Sequence, residues 1–270
     1  MGHLTDGVLG RQLLNELADL ADRASVEHRD LTADHIDQEL RTVLSGTVQQ
    51  LHTPDAHPVT PGGRAVGEAI AAHPATRWWA ADMAPAQIGL QDVAYVGPRA
   101  DRPLGWWSTP PDALLTSREL NGTGACVHLT HRDDYEGEPS RPLLWDADVV
   151  GARIHEVHTP EDWRALVELR PREHPSDIQL PQDRPGRPRL RRRAPRTVRL
   201  YQPDWALVAS RYDGVHVSLA GLLTSGYTLL PVADGFTYLA GWHPDVTAWL
   251  NPSSLFRDGP RPLRLGMPQL

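Results

Sequence analysis

Residues 105–110 read Gly-Trp-Trp-Ser-Thr-Pro, and residues 241–250 read Gly-Trp-His-Pro-Asp-Val-Thr-Ala-Trp-Leu. In both segments tryptophans stand beside hydroxyl or carboxylate groups, and the second segment adds a histidine. Tryptophan is a large, stiff and amphipathic side chain that lines pockets as well as cores. Tryptophans with polar groups at short range suit a site for a flat, polar ligand. We expect the two segments to fold together around one hollow; the alternative is that their tryptophans only fill the core.

The first third of the chain has the periodicity of helices. Ile36, Leu40, Val43 and Leu44 recur at the spacing that places them on one helical stripe. Proline-containing breaks near residues 54 and 58 then separate this stripe from a shorter helical pattern. These patterns predict a helical N-terminal layer over residues 1–85.

From about residue 86 the pattern favours short strands joined by short helices. The strongest local signal is a helix start, with Thr159 as the N-cap and Pro160 at the first helical position. Because strands and helices do not alternate regularly, we predict an α+β fold with a mixed, largely antiparallel or split sheet over residues 86–250. The strand candidates are residues 93–96, 105–109, 126–131, 152–158, 215–219, 228–232, 237–240 and 246–250.

Two segments read as loop or tail. Residues 171–196 are rich in proline, and arginines crowd their second half, residues 187–196. We predict an exposed loop there; the alternative is that its arginines grip a phosphate or an RNA backbone. Residues 251–270 are rich in proline and arginine and are predicted to be a C-terminal tail.

Composition excludes several classes of function. The 270-residue chain has a formal charge of -7, which argues against a nucleic-acid binder as a whole, and all 27 basic residues are arginines, which excludes lysine chemistry. A single cysteine, Cys126, excludes a zinc site with several thiolates. No run is long and apolar enough for a membrane helix, and the start lacks the pattern of a signal peptide. We expect a soluble, cytoplasmic protein that does not bind membranes.

A metal site is not predicted. His128 and His131 could combine with Asp133 or Asp134, but the surrounding residues alternate as in a strand. Strand positions three apart point to opposite faces of a sheet, so the two imidazoles would not share one ion.

A series of short blocks in the second half carries a resemblance. The blocks are residues 107–109 (Trp-Ser-Thr), 155–163, 203–205, 212–216 and 241–250. Their order resembles bacterial, in particular actinobacterial, ADP-ribosyltransferase-like domains of the Arg–Ser-Thr–Glu type, over about residues 90–250. The resemblance implies a toxin-like glycosyltransferase activity that takes NAD as a substrate and transfers ADP-ribose or hydrolyses NAD, with no metal.

The resemblance also implies roles for single residues in NAD binding. In the family an early arginine binds the NAD phosphates; Arg99 is the nearest match and Arg102 the substitute. We add Trp242 and His216 to the expected NAD-binding set, because they supply an aromatic wall and a hydrogen-bonding ring.

The expected catalytic residues come from the two tryptophan-bearing segments. The aromatic-Ser-Thr strand of the family packs on nicotinamide and orients the site, and Trp107, Ser108 and Thr109 match it. The family's catalytic glutamate corresponds to Asp245, which is one methylene shorter. A displacement of about 1 Å can cost ~100-fold in rate, so an inactive, partner-binding relative is a competing hypothesis.

Two other functions fit the residues. The first is a non-catalytic protein that contacts a target protein or nucleic acid through the helical layer or residues 187–196. The second is a small-molecule tailoring enzyme with His216 or His128 as general base and Asp213 as the residue that orients it.

Overall fold

The computed structural model describes ten parts of the chain: residues 4–49, 58–89, 108–111, 113–120, 123–129, 143–146, 151–174, 178–179, 197–251 and 261–262. In these parts seven α-helices accompany a mixed sheet whose strands are mostly antiparallel. The predicted α+β class is therefore confirmed. The strand expected at residues 93–96 lies outside the described parts. Of the strand expected at residues 105–109 only Ser108 and Thr109 are described, and neither lies in a strand.

Three helices and two 3₁₀ turns precede the first strand, as the sequence predicted for this region. Helix α1 (Val8–Ala24) packs into the core through leucines that are 0–1% exposed. Helix α3 (Pro61–Ala72) follows the N-cap Thr60, whose hydroxyl accepts from the Gly63 N–H. The elements are α1 (Val8–Ala24), a 3₁₀ turn (His28–Asp30), α2 (Ala33–Gln49), α3 (Pro61–Ala72) and a 3₁₀ turn (Pro74–Ala80).

Four shorter helices lie between the strands. The predicted cap of the second of them is confirmed: Thr159 and Asp162 form a reciprocal capping box, with Pro160 in the first turn. The predicted strand at residues 126–131 is wrong, because residues 125–129 are helical, and the Cys126 N–H donates to Ser117 Oγ at 3.0 Å. These helices are α4 (Ala125–Leu129), α5 (Pro160–Glu168), α6 (Trp205–Arg211) and α7 (Leu219–Ser225).

Fourteen strands are present in the described parts. They are β1 (Ala86–Gly89), β2 (Leu114–Leu120), β3 (Thr123–Gly124), β4 (Leu143–Asp146), β5 (Ile154–Val157), β6 (Pro171–Glu173), β7 (Ile178–Gln179), β8 (Thr197–Val198), β9 (Tyr201–Pro203), β10 (Gly214–Val217), β11 (Leu230–Val232), β12 (Gly235–Thr237), β13 (Val246–Trp249) and β14 (Arg261–Pro262). Strands β6 and β7 fall within the segment predicted to be a loop, and residues 180–196 lie outside the described parts.

The main sheet has the order β14-β4-β1-β2-β13-β10-β5, with β3 paired to β2. Neighbours along this order are antiparallel except β10 and β5, which are parallel. Strands β11 and β12 form a hairpin from the region of the candidate strands 228–232 and 237–240, but the second strand is residues 235–237 and not 237–240. Two further pairs are β6–β9 and β7–β8. The site lies where the parallel pair meets the antiparallel strands.

One apolar core joins the helical layer to the sheet. Leu13 and Leu17 of α1, Leu223 of α7 and Val217 of β10 belong to a single cluster and are fully buried. The opposite face of the sheet carries polar side chains beside a second, smaller apolar cluster around Met83 and Trp249. None of the described helices combines the length and the apolar character that crossing a membrane requires. The division at residue 85 into separate domains stays a prediction.

Candidate functional site

A row of polar side chains crosses one face of the sheet. His216 of β10 pairs with Glu156 of β5 on one side and with Thr247 of β13 on the other. Asp245 stands two residues before Thr247, and the register places Arg118 of β2 beside it. His216 and Glu156 are paired across two strands and so share the face opposite to Val215 and Val217, and the contacts of Asp245 with His216 and Arg118 place its carboxylate on that face as well. We call Arg118, Asp245, His216 and Glu156 the polar row.

His216 is the centre of the polar row. Its ring is 1% exposed and lies between two carboxylates, with Nδ1 2.5 Å from Glu156 Oε2 and Nε2 3.3 Å from Asp245 Oδ1. Burial alone would favour the neutral ring, but the hydrogen bonds that Asp245 and Glu156 accept from it, together with their negative charges, outweigh burial and raise the pKa of His216 to about 9. The ring is therefore an imidazolium at neutral pH, and both its N–H groups donate.

Asp245 forms ion pairs with two cations, Arg118 and His216. Its carboxylate is 1% exposed and accepts from Arg118 Nε at 2.8 Å as well as from His216. Asp245 has a positive φ of 54°, a left-handed conformation that aspartate tolerates better than most residues. This turn of the backbone immediately before Val246 aims the carboxylate between two cations. One buried anion therefore holds two buried or half-buried cations.

Arg118 ties the polar row to the segment that covers it. Its Nη2 donates to the carbonyl of Asp82 at 2.9 Å, and its guanidinium lies 5.7 Å from the ring centre of Trp78. The Met83 N–H donates to Glu156 Oε1 at 3.1 Å, so residues 81–83 are held at both ends of the row. The row is thus fixed from above by backbone groups as well as from below by the sheet.

Glu156 is the accessible end of the polar row, and His158 and Asp82 lie beside it. Their side chains are 23%, 24% and 83% exposed, in contrast to the buried His216. His158 Nε2 lies 3.0 Å from Asp82 Oδ1 and 3.9 Å from Glu156 Oε2. His158 Nδ1 lies 3.0 Å from the fully buried Ser218 Oγ, which fixes the ring. We call these three residues the open triad.

The open triad has the groups that proton transfer needs. Glu156 is oriented on both oxygens, by His216 and by the Met83 N–H, and His158 is oriented on Nδ1. Oriented groups of this kind, partly open to solvent, are the ones that exchange protons with a bound molecule. The imidazolium of His216 keeps a fixed positive charge directly behind Glu156.

Two of the residues expected from the sequence meet in this site. Asp245 and His216 are hydrogen-bonded to each other. We expected His216 to be a general base and Asp245 to be catalytic. Each side chain is 1% exposed and hydrogen-bonded to two partners. Their bonded partners in the polar row are Arg118 for Asp245 and Glu156 for His216.

Ser108 of the first tryptophan-bearing segment is hydrogen-bonded to Ala240, the residue before the second segment. Ser108 is 1% exposed; its hydroxyl and its N–H both donate to the Ala240 carbonyl, and the Ala240 N–H reaches the same hydroxyl, all at 2.9 Å. Thr109 follows, half-buried. Trp242 is buried and meets the ring of Trp163 edge-on at 6.3 Å. In the described residues this junction joins loops and fills core.

The remaining expected residues are either outside the described parts of the chain or paired with residues outside the polar row. Arg99, Arg102 and Trp107 are outside the described parts of the chain. His128 sits on α4, where its Nε2 lies 3.2 Å from Asp37. Asp213 pairs with Arg153 at 2.9 Å, so the residues that orient His216 are Glu156 and Asp245 in its place.

Four residues of the site were not predicted: Glu156, His158, Arg118 and Asp82. A signal for two of them was present, because Glu156 and His158 are two apart at the end of a strand and therefore share a face. Asp82 comes from the segment after the 3₁₀ turn and Arg118 from a strand that the periodicity did not show. Nothing in their local sequence marks either.

No family model matches the chain, and neither the curated proteins nor the solved structures compared with it include a match.

Proposed function

We propose that this chain is an enzyme that activates water, or another oxygen or nitrogen nucleophile, at the open triad. It transfers to that nucleophile a group from a small polar substrate. The observation that carries the proposal is the contrast between an oriented, accessible Glu156–His158 couple and the buried, fully bonded His216–Asp245 pair behind it. Accessible groups held in one orientation by buried partners are typical of proton-transfer sites.

The reaction step follows from the positions of these groups. As the nucleophile forms its bond to the electrophilic atom of the substrate, its proton passes to Nε2 of His158, beside Glu156. The bond to the leaving group breaks, and the leaving group departs with the electron pair and takes up the proton. Asp82, 3.0 Å from His158 Nε2, stabilises the imidazolium that exists between the two transfers.

The proposal is tested with substrates that report different electrophilic atoms. We would screen 4-nitrophenyl esters, phosphates and glycosides, then compare the wild type with Glu156→Gln and His158→Asn. Each change should lower kcat by about 100-fold or more on any accepted substrate, the usual contribution of a general acid or base. Glu168→Gln is the matched control, because Glu168 is 53% exposed on α5 and pairs with Arg164. Equal rates for Glu156→Gln and Glu168→Gln would refute the proposal.

A second proposal concerns NAD as the substrate. Trp78 is half-buried under the Arg118 guanidinium at one end of the polar row, and the accessible carboxylate of Glu156 is at the other end. An aromatic surface, a guanidinium and a carboxylate are the group types that cleavage of the nicotinamide bond requires. In this proposal Glu156 takes the role that the resemblance gives to Asp245, because Asp245 is bonded to Arg118 and His216.

The NAD proposal has its own experiment. Isothermal titration of the protein with NAD should show binding at about 1 mM or below, the upper end of common KM values. Nicotinamide release should be lost in Glu156→Gln and kept in Glu168→Gln. The absence of any binding heat at that concentration would end this proposal and leave the first one standing.

A further inference from the structure

We infer that the open triad is a binding site for one divalent transition-metal ion. The inference rests on the proposed function only for its location, since binding is measured without any substrate. One imidazole and two carboxylates provide mixed nitrogen and oxygen ligands, which suit zinc or manganese better than magnesium or calcium.

The distances fit such an ion. The three ligand atoms of Asp82, Glu156 and His158 lie within 4.8 Å of one another. Metal–ligand bonds of about 2.1 Å place neighbouring ligand atoms ~3–4 Å apart. His158 Nε2 is 3.0 Å from Asp82 Oδ1 and 3.9 Å from Glu156 Oε2, which already falls in this range. Asp82 is 83% exposed, so its carboxylate is free to adjust to the ion.

The hydrogen bonds behind His158 favour the tautomer that a metal ligand needs. Ser218 Oγ accepts from the Gly221 N–H at 3.1 Å and lies 3.3 Å from the Val157 carbonyl. A hydroxyl donates once and accepts twice. If it donates to Val157 O, its second acceptor position is filled by an N–H from His158 Nδ1, and Nε2 then presents a lone pair to the triad. Every polar group around Ser218 is satisfied in this arrangement.

The carboxylate of Glu156 is also oriented from behind. His216 donates to one of its oxygens and the Met83 N–H to the other, which leaves each oxygen one further lone pair. Partners of this kind around a ligand fix its geometry and strengthen binding. A cation there would itself activate a bound water, whose proton is lost more readily, and would replace His158 Nε2 as the activating group, because that lone pair would then bind the ion.

The test is a titration of the full chain, stripped with a chelator, with zinc or manganese chloride alone. We expect one ion per chain, and Asp82→Asn, Glu156→Gln and His158→Asn should each weaken binding by about 10-fold or more. The matched control is Asp37→Asn, which removes the carboxylate from a His–Asp pair away from the triad, at His128, and should leave binding unchanged. Cobalt absorption in the visible range gives a second readout of the nitrogen ligand.

Two outcomes would overturn the inference: no stoichiometric binding, or binding that Asp82→Asn leaves unchanged. Asp82 is mostly exposed, so this variant keeps the fold and the result stays interpretable. Turnover in the presence of a chelator, together with no stoichiometric binding in the titration, would reject the metal site and retain the proposed enzyme. Binding without turnover would do the reverse.

Discussion

Glu156 Oε2 lies 2.5 Å from Nδ1 of His216, its direct neighbour across the parallel strands β5 and β10. The bond links an accessible carboxylate to a buried imidazolium, and Asp245 receives the other N–H of that ring. Both hydrogen bonds of the His216 ring to carboxylates therefore require that the ring is protonated on both nitrogens, with a positive charge.

This charge makes stability depend on pH. The pKa of His216 is raised from 6.5 to about 9, so its contribution is complete below pH 6.5 and is lost as the pH rises through 9. The raised pKa corresponds to about 3 kcal/mol of unfolding free energy. We expect urea unfolding to show stability falling between these two pH values. In His216→Gln the fall should be absent, whereas His28→Gln, in the first 3₁₀ turn, should keep it.

Removal of the charge at Asp245 should be costly. Asp245→Asn preserves shape and tolerance of the left-handed backbone but leaves Arg118 and His216 without their shared anion. Breaking a buried ion pair from one side typically costs about 3–5 kcal/mol. Thermal unfolding should show a clear drop in Tm. Asp234→Asn breaks an exposed pair with Arg199 and should leave Tm nearly unchanged; equal effects would contradict the role given to burial.

A glycine holds α7 against β5. A Cβ at Gly221 would stand 2.0 Å from the Val157 carbonyl oxygen, and that close contact keeps Ser218 beside His158. Gly221→Ala should destabilise the protein by about 1–3 kcal/mol through overpacking. Gly67→Ala in α3 should have the opposite sign, a gain of about 0.5–1 kcal/mol, because its Cβ would meet only Leu14 at ordinary contact distance. Denaturant midpoints measure both; a loss at Gly67 would contradict this description of α3.

Features set by a few neighbouring residues were predictable from the sequence. The cap at Thr159 and the strand candidate at residues 215–219, of which 215–217 lie in β10, each depend on side chains and backbone within one element. Local propensity and periodicity carry this information directly. The helical N-terminal region was readable for the same reason.

Strand β2 was missed because its burial does not follow its polarity. Thr116 and Ser117 are fully buried, with partners on other elements: Thr116 Oγ1 donates to Gln87 and accepts from Trp249 Nε1. A strand with buried hydroxyls on both faces has neither an apolar run nor an apolar alternation, so it reads as a loop. The opposite error occurred at α4, where alternating residues in a five-residue helix imitate a strand.

The site itself was half predictable. His216 and Asp245 were named from residue type and neighbourhood. Their partners were not, because Arg118 is 127 residues from Asp245 and Glu156 is 60 residues from His216. Only the strand order brings them together, and order and register in a sheet come from the packing of the whole core.

The central claim is that a buried imidazolium between two carboxylates organises this site. Nitrogen-15 NMR of the histidine rings tests it most directly, with the His216 signals assigned by their loss in His216→Gln. At about pH 7.5 an ordinary histidine is mostly neutral. We predict that both ring nitrogens of His216 carry protons at that pH and lose one only near pH 9. A His216 ring with one unprotonated nitrogen at pH 7.5 would contradict the account.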